Sequence, residues 1–231
     1  SGITVLGGVE SPGHRALGAR LGRGTVEASL DALELPGSGV VAVEFTTPEG
    51  LARLLPSAVR NNVALVSGTT GIPRGLGASL KRASRSVPIL RAGNFSRGVA
   101  ILKKILEAAV RVLPDDFDVE IVELHHGRKA DAPSGSAEEL FQAVRRGNPT
   151  VHKAERRWGR GLRASGSVGL HSLRGGSVPG EHTVYLLGPS ESLRLAHVAE
   201  SREAFARGAV AAARFLAGKK PGFYSAEDMY A

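Results

Sequence analysis

The chain has 231 residues, 42% of them hydrophobic, which is enough for one large or two small packed domains and excludes global disorder. The absence of cysteine excludes disulfides, thiolate metal sites and a cysteine nucleophile. A net charge of +8 is compatible with a nucleic acid, a membrane surface or a small anion as partner, but scattered basic residues and an aromatic content of 5% argue against nucleic acid. No apolar run approaches the ~20 residues of a membrane span, and we expect a cytoplasmic protein.

Short apolar segments alternate with helical patterns in the first half of the chain. Thr47, Pro48 and Glu49 form a helix N-terminus, and apolar residues follow at helical spacing. The apolar segments are β-branched, which is typical of strands buried on both faces. They are residues 3–9, 40–45, 63–66 and 87–90. This alternation predicts a parallel sheet with crossover helices.

The pattern changes after residue 96. An amphipathic helix with apolar positions from Leu102 to Leu113 ends at Pro114, and a last helix runs from about Ser201 to Gly218. Between them we predict one helix and four strands, of which the last two flank a hairpin turn. The helix is 136–146, and the strands are 118–124, 167–173, 181–187 and 192–199. The fold class is therefore an α/β, Rossmann-like parallel-sheet domain followed by a mostly antiparallel α+β domain.

Residues 147–166 are rich in Gly, Arg, Lys and Pro and lack periodicity. Such a segment predicts a long mobile loop, and its position between two strands favours a lid over an inert connection.

The run from Glu123 to Glu139 concentrates hydrogen-bond donors at one place. A strand delivers His125 and His126, and Lys129 and a Ser-Gly-Ser turn follow. Ser136 and Glu139 have the spacing of a capping box that begins a helix. The free N–H groups and the positive dipole at such a helix start favour an anion. We therefore expect a small carboxylate or phosphate as ligand.

Two interpretations of the histidine pair remain open from the residues alone. Neighbouring side chains of a strand point to opposite faces, so one histidine faces a ligand and the other is structural, or both are structural. A zinc site is not indicated, because His125 and His126 diverge and no third ligand has suitable spacing. We expect no metal.

His125-His126, Lys129, Asp131 and the Pro-Ser-Gly-Ser-Ala run at 133–137 resemble the signature of the dihydrodipicolinate reductase family of diaminopimelate and lysine synthesis. The resemblance extends from about residue 3 to the end of the chain. Further segments that follow the family in order are 45–49, 68–71, 94–96, 98–99, 171–176, 180–183, 201–202, 205–206 and 208–209.

The resemblance implies reduction of 4-hydroxy-tetrahydrodipicolinate, a cyclic dicarboxylate, with NADH or NADPH. It also implies a dinucleotide-binding domain at 1–97 with 202–231, a substrate-binding and oligomerisation domain at 98–201, and a homotetramer. By position, His125 is the general acid and Lys129 binds or polarises the substrate. The residues implied in carboxylate binding are His126, Ser134, Gly135 and Ser136.

The resemblance also assigns cofactor residues. The Gly-Thr-Thr-Gly turn follows a strand and would let a nicotinamide approach the backbone, although such a sequence alone is equally compatible with an ordinary tight turn. Glu10 would accept hydrogen bonds from the adenosine ribose. Ser11 after it, where a basic residue favours NADPH, points to NADH, with Arg15 or His14 as alternative partners for a phosphate. The remaining cofactor residues are Gly68, Thr69, Thr70, Gly71, Asn94 and Phe95.

The family begins with a strand, a glycine-rich turn and a helix that cradle the pyrophosphate, whereas Ile3 of this sequence aligns with the family's second strand. Three explanations remain open: a shortened sequence, which we rank first, a strand supplied by another chain, or a loss of dinucleotide binding. The last would leave a non-catalytic dicarboxylate-binding or assembly protein as the alternative function.

Overall fold

The computed structural model describes residues 2–154 and 161–230, which form two compact units. The first unit comprises the residues up to Ala92 together with Ala209–Met229. The second unit comprises Gly93–Gly208 and Tyr230. No helix in these described ranges is both long and apolar enough to cross a membrane.

A four-stranded parallel sheet forms the centre of the first unit. Its order is β12 (Gly222–Tyr224), β6 (Pro88–Arg91), β5 (Ala64–Ser67) and β4 (Val41–Glu44). Its helices α1 and α2 follow β4 and β5, and Leu51, Leu65, Leu80 and Ile89 share one core. The predicted parallel sheet is thereby confirmed. Thr47 caps α1, accepting a hydrogen bond from the Gly50 N–H at 3.2 Å. The elements are β4 (Val41–Glu44), α1 (Pro48–Arg60), β5 (Ala64–Ser67), α2 (Arg74–Ala83), β6 (Pro88–Arg91), α5 (Glu203–Leu216) and β12 (Gly222–Tyr224).

The predicted strand at 3–9 is wrong for most of its length. Only β1 (Gly8–Val9) is a strand, and it pairs with β3 (Gly24–Glu27) in a separate three-stranded sheet that also contains β2 (Arg20–Leu21). Ile3 and Val5 have exposed side chains. β-Branched residues favour a strand, but a strand also needs a neighbouring strand with which to form hydrogen bonds, and here only Gly8 and Val9 have one.

The second unit contains a five-stranded sheet. Its order is β11 (Ser192–Val198), β10 (Glu181–Leu187), β7 (Asp118–His125), β9 (Ser167–Arg174) and β8 (His152–Lys153). Strands β11, β10 and β7 are antiparallel as predicted, whereas β7, β9 and β8 are parallel. Helix α4 lies between β7 and β9 along the chain, and such a crossover returns the chain in the same direction. The sheet and α3 and α4 share a core that includes Leu106, Ile121, Leu140 and Val184. The elements are α3 (Arg97–Arg111), β7 (Asp118–His125), α4 (Gly135–Gly147), β8 (His152–Lys153), β9 (Ser167–Arg174), β10 (Glu181–Leu187) and β11 (Ser192–Val198).

The segment 147–166 is less irregular than its composition suggests. Its short strand β8 pairs with β9 at Ser167 and Val168. Residues 155–160 lie outside the described residues, so the lid remains a prediction.

Candidate active site

The buried face of β7 carries Glu123 and His125. Burial alternates along β7, and residues two apart share one face of a strand. The Glu123 side chain is fully buried, and its carboxylate accepts a hydrogen bond from Nδ1 of His125. Because an ionised carboxylate can only accept, Nδ1 carries the proton and Nε2 is the ring nitrogen left for a ligand.

Arg174 completes this arrangement from the neighbouring strand. It stands opposite His125 in the parallel register of β7 and β9. Its guanidinium forms two hydrogen bonds to the Glu123 carboxylate, at 2.7 and 2.8 Å. Burial alone raises the pKa of Glu123, but the hydrogen bonds that it accepts, those of Arg174 above all, outweigh it and bring the pKa to about 2. Glu123 is therefore ionised at neutral pH.

His125 has a lowered pKa. Burial is the main cause, Lys129 and Arg174 add to it, and Glu123 opposes it. The backbone of Gly180 packs against the ring so closely that a side chain there would lie 2.9 Å from Nε2. A glycine at this position therefore keeps Nε2 from being covered by a side chain.

Lys129 and His126 lie in the turn after β7. The Lys129 ammonium forms an ion pair with Asp131 at 2.8 Å and is partly exposed. The Lys129 N–H donates to the His126 carbonyl, which fixes the turn. Nδ1 of His126 is buried without a hydrogen-bond partner among the described residues. Such a nitrogen suits a further polar contact.

The start of α4 differs from the predicted capping box. The N-cap is Ser134, whose hydroxyl accepts from the Ala137 N–H at 3.2 Å, and Ser136 lies inside the first turn. Glu139 instead accepts from the Lys103 ammonium at 2.7 Å. The prediction for Ser136 and Glu139 was wrong because a cap must lie outside the helix, and the helix begins at Gly135.

This helix start can still hold an anion. Gly135 is exposed, and the N–H groups of Gly135 and Ser136 belong to the first turn, where α-helices lack internal acceptors. The Ser136 hydroxyl accepts from the Asn94 amide at 2.7 Å, which leaves its own proton for a ligand. The Ser134 hydroxyl is already used by the cap and lies 3.3 Å from Nε2 of His182.

Two of the predicted cofactor residues, Asn94 and Phe95, belong to the second unit. Asn94 contacts Ser136, as described. Phe95 is only 2% exposed, so its ring packs in the core.

The predicted nicotinamide turn lies at the carboxyl edge of β5 in the first unit. Thr69 is buried and donates to the Glu44 carboxylate at 2.7 Å. Thr70 and Gly71 are exposed, and Gly71 has a φ of +66° that favours glycine. A side chain at Gly68 would lie 2.3 Å from the Phe45 ring, which is 55% exposed. A partly exposed aromatic ring packed against glycine backbone is compatible with a flat heterocycle.

Glu10 lies apart from this turn in the fold. It follows β1 in the three-stranded sheet rather than ending a strand of the parallel sheet, and its carboxylate accepts from the Ser11 N–H at 3.2 Å. Ser11 in turn accepts from Arg53 at 3.0 Å. An exposed carboxylate and a guanidinium therefore both contact Ser11 here.

Sequence reasoning missed Glu123, Arg174 and Glu44 as site residues. Glu123 carried a usable signal, since a Glu two residues before a strand histidine shares its face. Arg174 lies in the segment 171–176 that resembles the family, but its place opposite His125 needs the register of β7 and β9.

Comparisons with known proteins cover both units. The family profile described as "Dihydrodipicolinate reductase, N-terminus" matches residues 1–95, and that described as "Dihydrodipicolinate reductase, C-terminus" matches residues 98–230. The 4-hydroxy-tetrahydrodipicolinate reductase of Rhodopseudomonas palustris (strain TIE-1) is 39% identical over 238 residues, which span 99% of this chain and 88% of the relative. That of Geobacter metallireducens is 38% identical over 242 residues, spanning 99% and 90%.

A solved structure shares the fold. The dipicolinate-bound dihydrodipicolinate reductase from Paenisporosarcina sp. TG-14 aligns with a TM-score of 0.74 at 22% identity, covering 97% of this chain and 89% of that one. The fold class predicted from the sequence is confirmed. Together with the two profiles and the relatives, this agreement shows that the chain belongs to the dihydrodipicolinate reductase family.

Proposed function

We propose that this chain reduces 4-hydroxy-tetrahydrodipicolinate with NAD(P)H, the reduction for which its curated relatives are named. The observation that carries the proposal is His125, held by Glu123 with Nε2 free, in the segment that leads from β7 to the N-terminus of α4. Such a segment can hold a negatively charged ring at its anion site and protonate it from the histidine while the ring is reduced.

The substrate dicarboxylate binds through first-turn donors and a cation. The N–H groups of Gly135 and Ser136 and the Ser136 hydroxyl receive one carboxylate. Lys129 exchanges its contact with the exposed Asp131 for the substrate, since an exposed ion pair contributes little stability. The unpaired Nδ1 of His126 supplies a further polar contact.

His125 delivers the proton at Nε2. In the ligand-free chain its pKa is lowered by burial, so the ring is mostly neutral at neutral pH. A doubly negative substrate beside the ring favours the imidazolium and raises this pKa again. The proton is thus present when a substrate is bound to accept it.

The residues at the β5 edge fit the nicotinamide end of the cofactor. The partly exposed Phe45 ring with the backbone of Gly68 and Gly71 would hold it, and the buried Thr69–Glu44 hydrogen bond keeps the turn in place. When bound, NAD(P)H supplies the hydride. Asn94 would orient the cofactor or the substrate through its amide.

We further propose a preference for NADH. The Glu10 carboxylate would accept from ribose hydroxyls and repel a 2′-phosphate. Arg53, which contacts Ser11, is the cation that a 2′-phosphate would meet. The ratio of kcat/KM for NADH and NADPH measures the preference, and Arg53→Ala should shift it further towards NADH.

We propose a homotetramer assembled through the second unit. Strand β11 is at the edge of the sheet, and Leu173, Leu193 and Val198 are exposed on β9 and β11. Such strands can be covered by another copy of the sheet. Sedimentation velocity that shows a monomer at working concentration would contradict this assembly.

The central experiment combines turnover with binding. His125→Gln should lower kcat by about 10²–10⁴-fold, because general acid catalysis contributes this much, and leave the affinity for 2,6-pyridinedicarboxylate little changed. His171→Gln, at an exposed histidine of β9, is the matched control. Calorimetric titration of the unsubstituted chain should show binding of both dicarboxylate and NADH. Dicarboxylate binding without nucleotide binding or turnover would support the non-catalytic alternative instead.

A further inference from the structure

The Glu123 carboxylate is saturated with donors although it is buried. One oxygen accepts from Nη2 of Arg174 at 2.7 Å and from the Ser134 N–H at 3.2 Å. The other accepts from Nη1 of Arg174 at 2.8 Å and from Nδ1 of His125. A buried charge is costly unless it is paired and hydrogen-bonded, and here every contact is met by rigid elements. A residue that only fills space in the core does not need this set of hydrogen bonds.

We propose that Glu123 is a positioning residue, which orients His125 with Nε2 towards the substrate and is shared between His125 and Arg174. The proposal rests on His125 being the proton donor of the proposed function. Glu123 itself touches no reacting atom. It acts by fixing the tautomer and the ring direction of its neighbour, and by supplying a negative charge when that neighbour is protonated.

Arg174 has the opposite effect on the histidine. It is anchored by the carbonyls of Leu173 at 2.7 Å and Asp131 at 2.6 Å, so its guanidinium stays in place. By pairing with Glu123 it keeps the carboxylate satisfied while His125 is neutral. It also withdraws part of the negative charge that would favour the imidazolium. Loss of Glu123 should therefore lower the pKa of His125, and loss of Arg174 should raise it.

The other titratable groups around His125 do not change the expected directions of these pKa shifts. From β10, the His182 ring lies edge-on with its centroid 5.2 Å away, and its pKa is lowered to about 3 by burial, so it stays neutral near pH 7. From the turn after β7, Lys129 opposes protonation of His125 and is paired with Asp131. The groups that face His125 are Glu123, Arg174, Lys129 and His182.

The first test reads the His125 ring by nitrogen-15 NMR without substrate or cofactor. In the unsubstituted chain the neutral ring should carry its proton on Nδ1. Glu123→Gln should lower the pKa of His125 by about one or more, because an adjacent opposite charge is lost. Arg174→Met should raise it. Glu123→Asp, which keeps the charge, should restore part of the effect.

Glu120 offers a matched control on the same strand. It lies on the opposite face of β7 and pairs with His171 at 2.7 Å. Glu120→Gln should leave the tautomer and the titration of His125 unchanged. Its folding cost is also a reference for removing a carboxylate from β7.

The second test is the pH profile of turnover. The alkaline limb of kcat/KM should move to lower pH in Glu123→Gln and to higher pH in Arg174→Met, and kcat at pH 7 should fall about 10²-fold in the former with a smaller change in KM. Equal shifts in both variants, or an unchanged titration of His125 in Glu123→Gln, would overturn the positioning role. If the chain proves not to be a reductase, the NMR result still decides what Glu123 does to His125, so the two failures are distinguishable.

Discussion

Among the described residues, each unit buries one glutamate near the carboxyl end of a strand, and the two are surrounded by different chemistry. Glu123 in the second unit accepts from groups that can carry charge, Arg174 and His125. Glu44 in the first unit accepts from uncharged donors: the hydroxyls of Ser67 and Thr69, and the hydroxyl and N–H of Thr46. A carboxylate among titratable partners can influence a proton, whereas one among hydroxyls can only fix the backbone.

The same contrast extends to the rest of each unit. The second unit buries His125 and His182, and they lie in a row with the half-buried His197, with ring centroids 5.2 and 6.3 Å apart. In the first unit the histidine is His14, which is exposed. The second unit is thus built for proton chemistry, and its stability should depend on pH more strongly than that of the first.

The largest expected effect is acid destabilisation of the second unit through His182. Its pKa falls from 6.5 to about 3 on folding, mainly by burial, so the folded chain favours the neutral ring. This contribution is fully present above pH 6.5 and is lost as the pH falls towards 3, by up to about 5 kcal/mol of unfolding free energy. Urea unfolding between pH 7 and 4 measures it.

Hydrogen exchange can assign that acid loss to a unit. Amides of Val184 and Leu186 should lose protection at a higher pH than those of Leu65 and Val66. His182→Gln should flatten the pH dependence, whereas His152→Gln, at an exposed position, should leave it intact. Equal acid sensitivity in both units would remove the contrast.

The sequence predicted those features that depend on near neighbours. The Thr47 cap, the hairpin turn at 188–191 and the strand of β7 follow from residues a few positions apart, and they are confirmed. The Ser134 cap was missed because Ser134 and Ser136 are both good caps, and tertiary contacts with Asn94 and His182 select between them. Long-range pairing accounts for the other failures: the Glu123–Arg174 pair needs the β7–β9 register, and the segment at 3–9 needed a partner strand.

A smaller effect is expected from Glu44→Gln. The substitution keeps the shape but replaces an acceptor oxygen by an amide donor that faces the hydroxyls of Ser67 and Thr69. We expect a loss of about 1–3 kcal/mol of unfolding free energy, because buried donors lose their partner. KM for NADH should rise through the turn that contains Thr69, and the pH profile of kcat should stay unchanged.

Glu34→Gln, at an exposed position of the first unit, is the control for Glu44→Gln. A pH profile displaced in Glu44→Gln would show that both buried glutamates influence a proton, and the comparison between the units would then fail.

The smallest effect concerns the two helix caps next to these glutamates. The Ser134 N–H donates to Glu123, and the Ser134 hydroxyl is buried, whereas Thr47 of the first unit is exposed. Ser134→Ala should cost about 1–2 kcal/mol of unfolding free energy and Thr47→Ala about 0.5–1 kcal/mol, since water can replace an exposed cap. Ser136→Ala should cost less than Ser134→Ala while weakening dicarboxylate binding. Urea unfolding and calorimetry separate the two serines, and a larger stability loss for Ser136→Ala would restore the capping box that the structure contradicts.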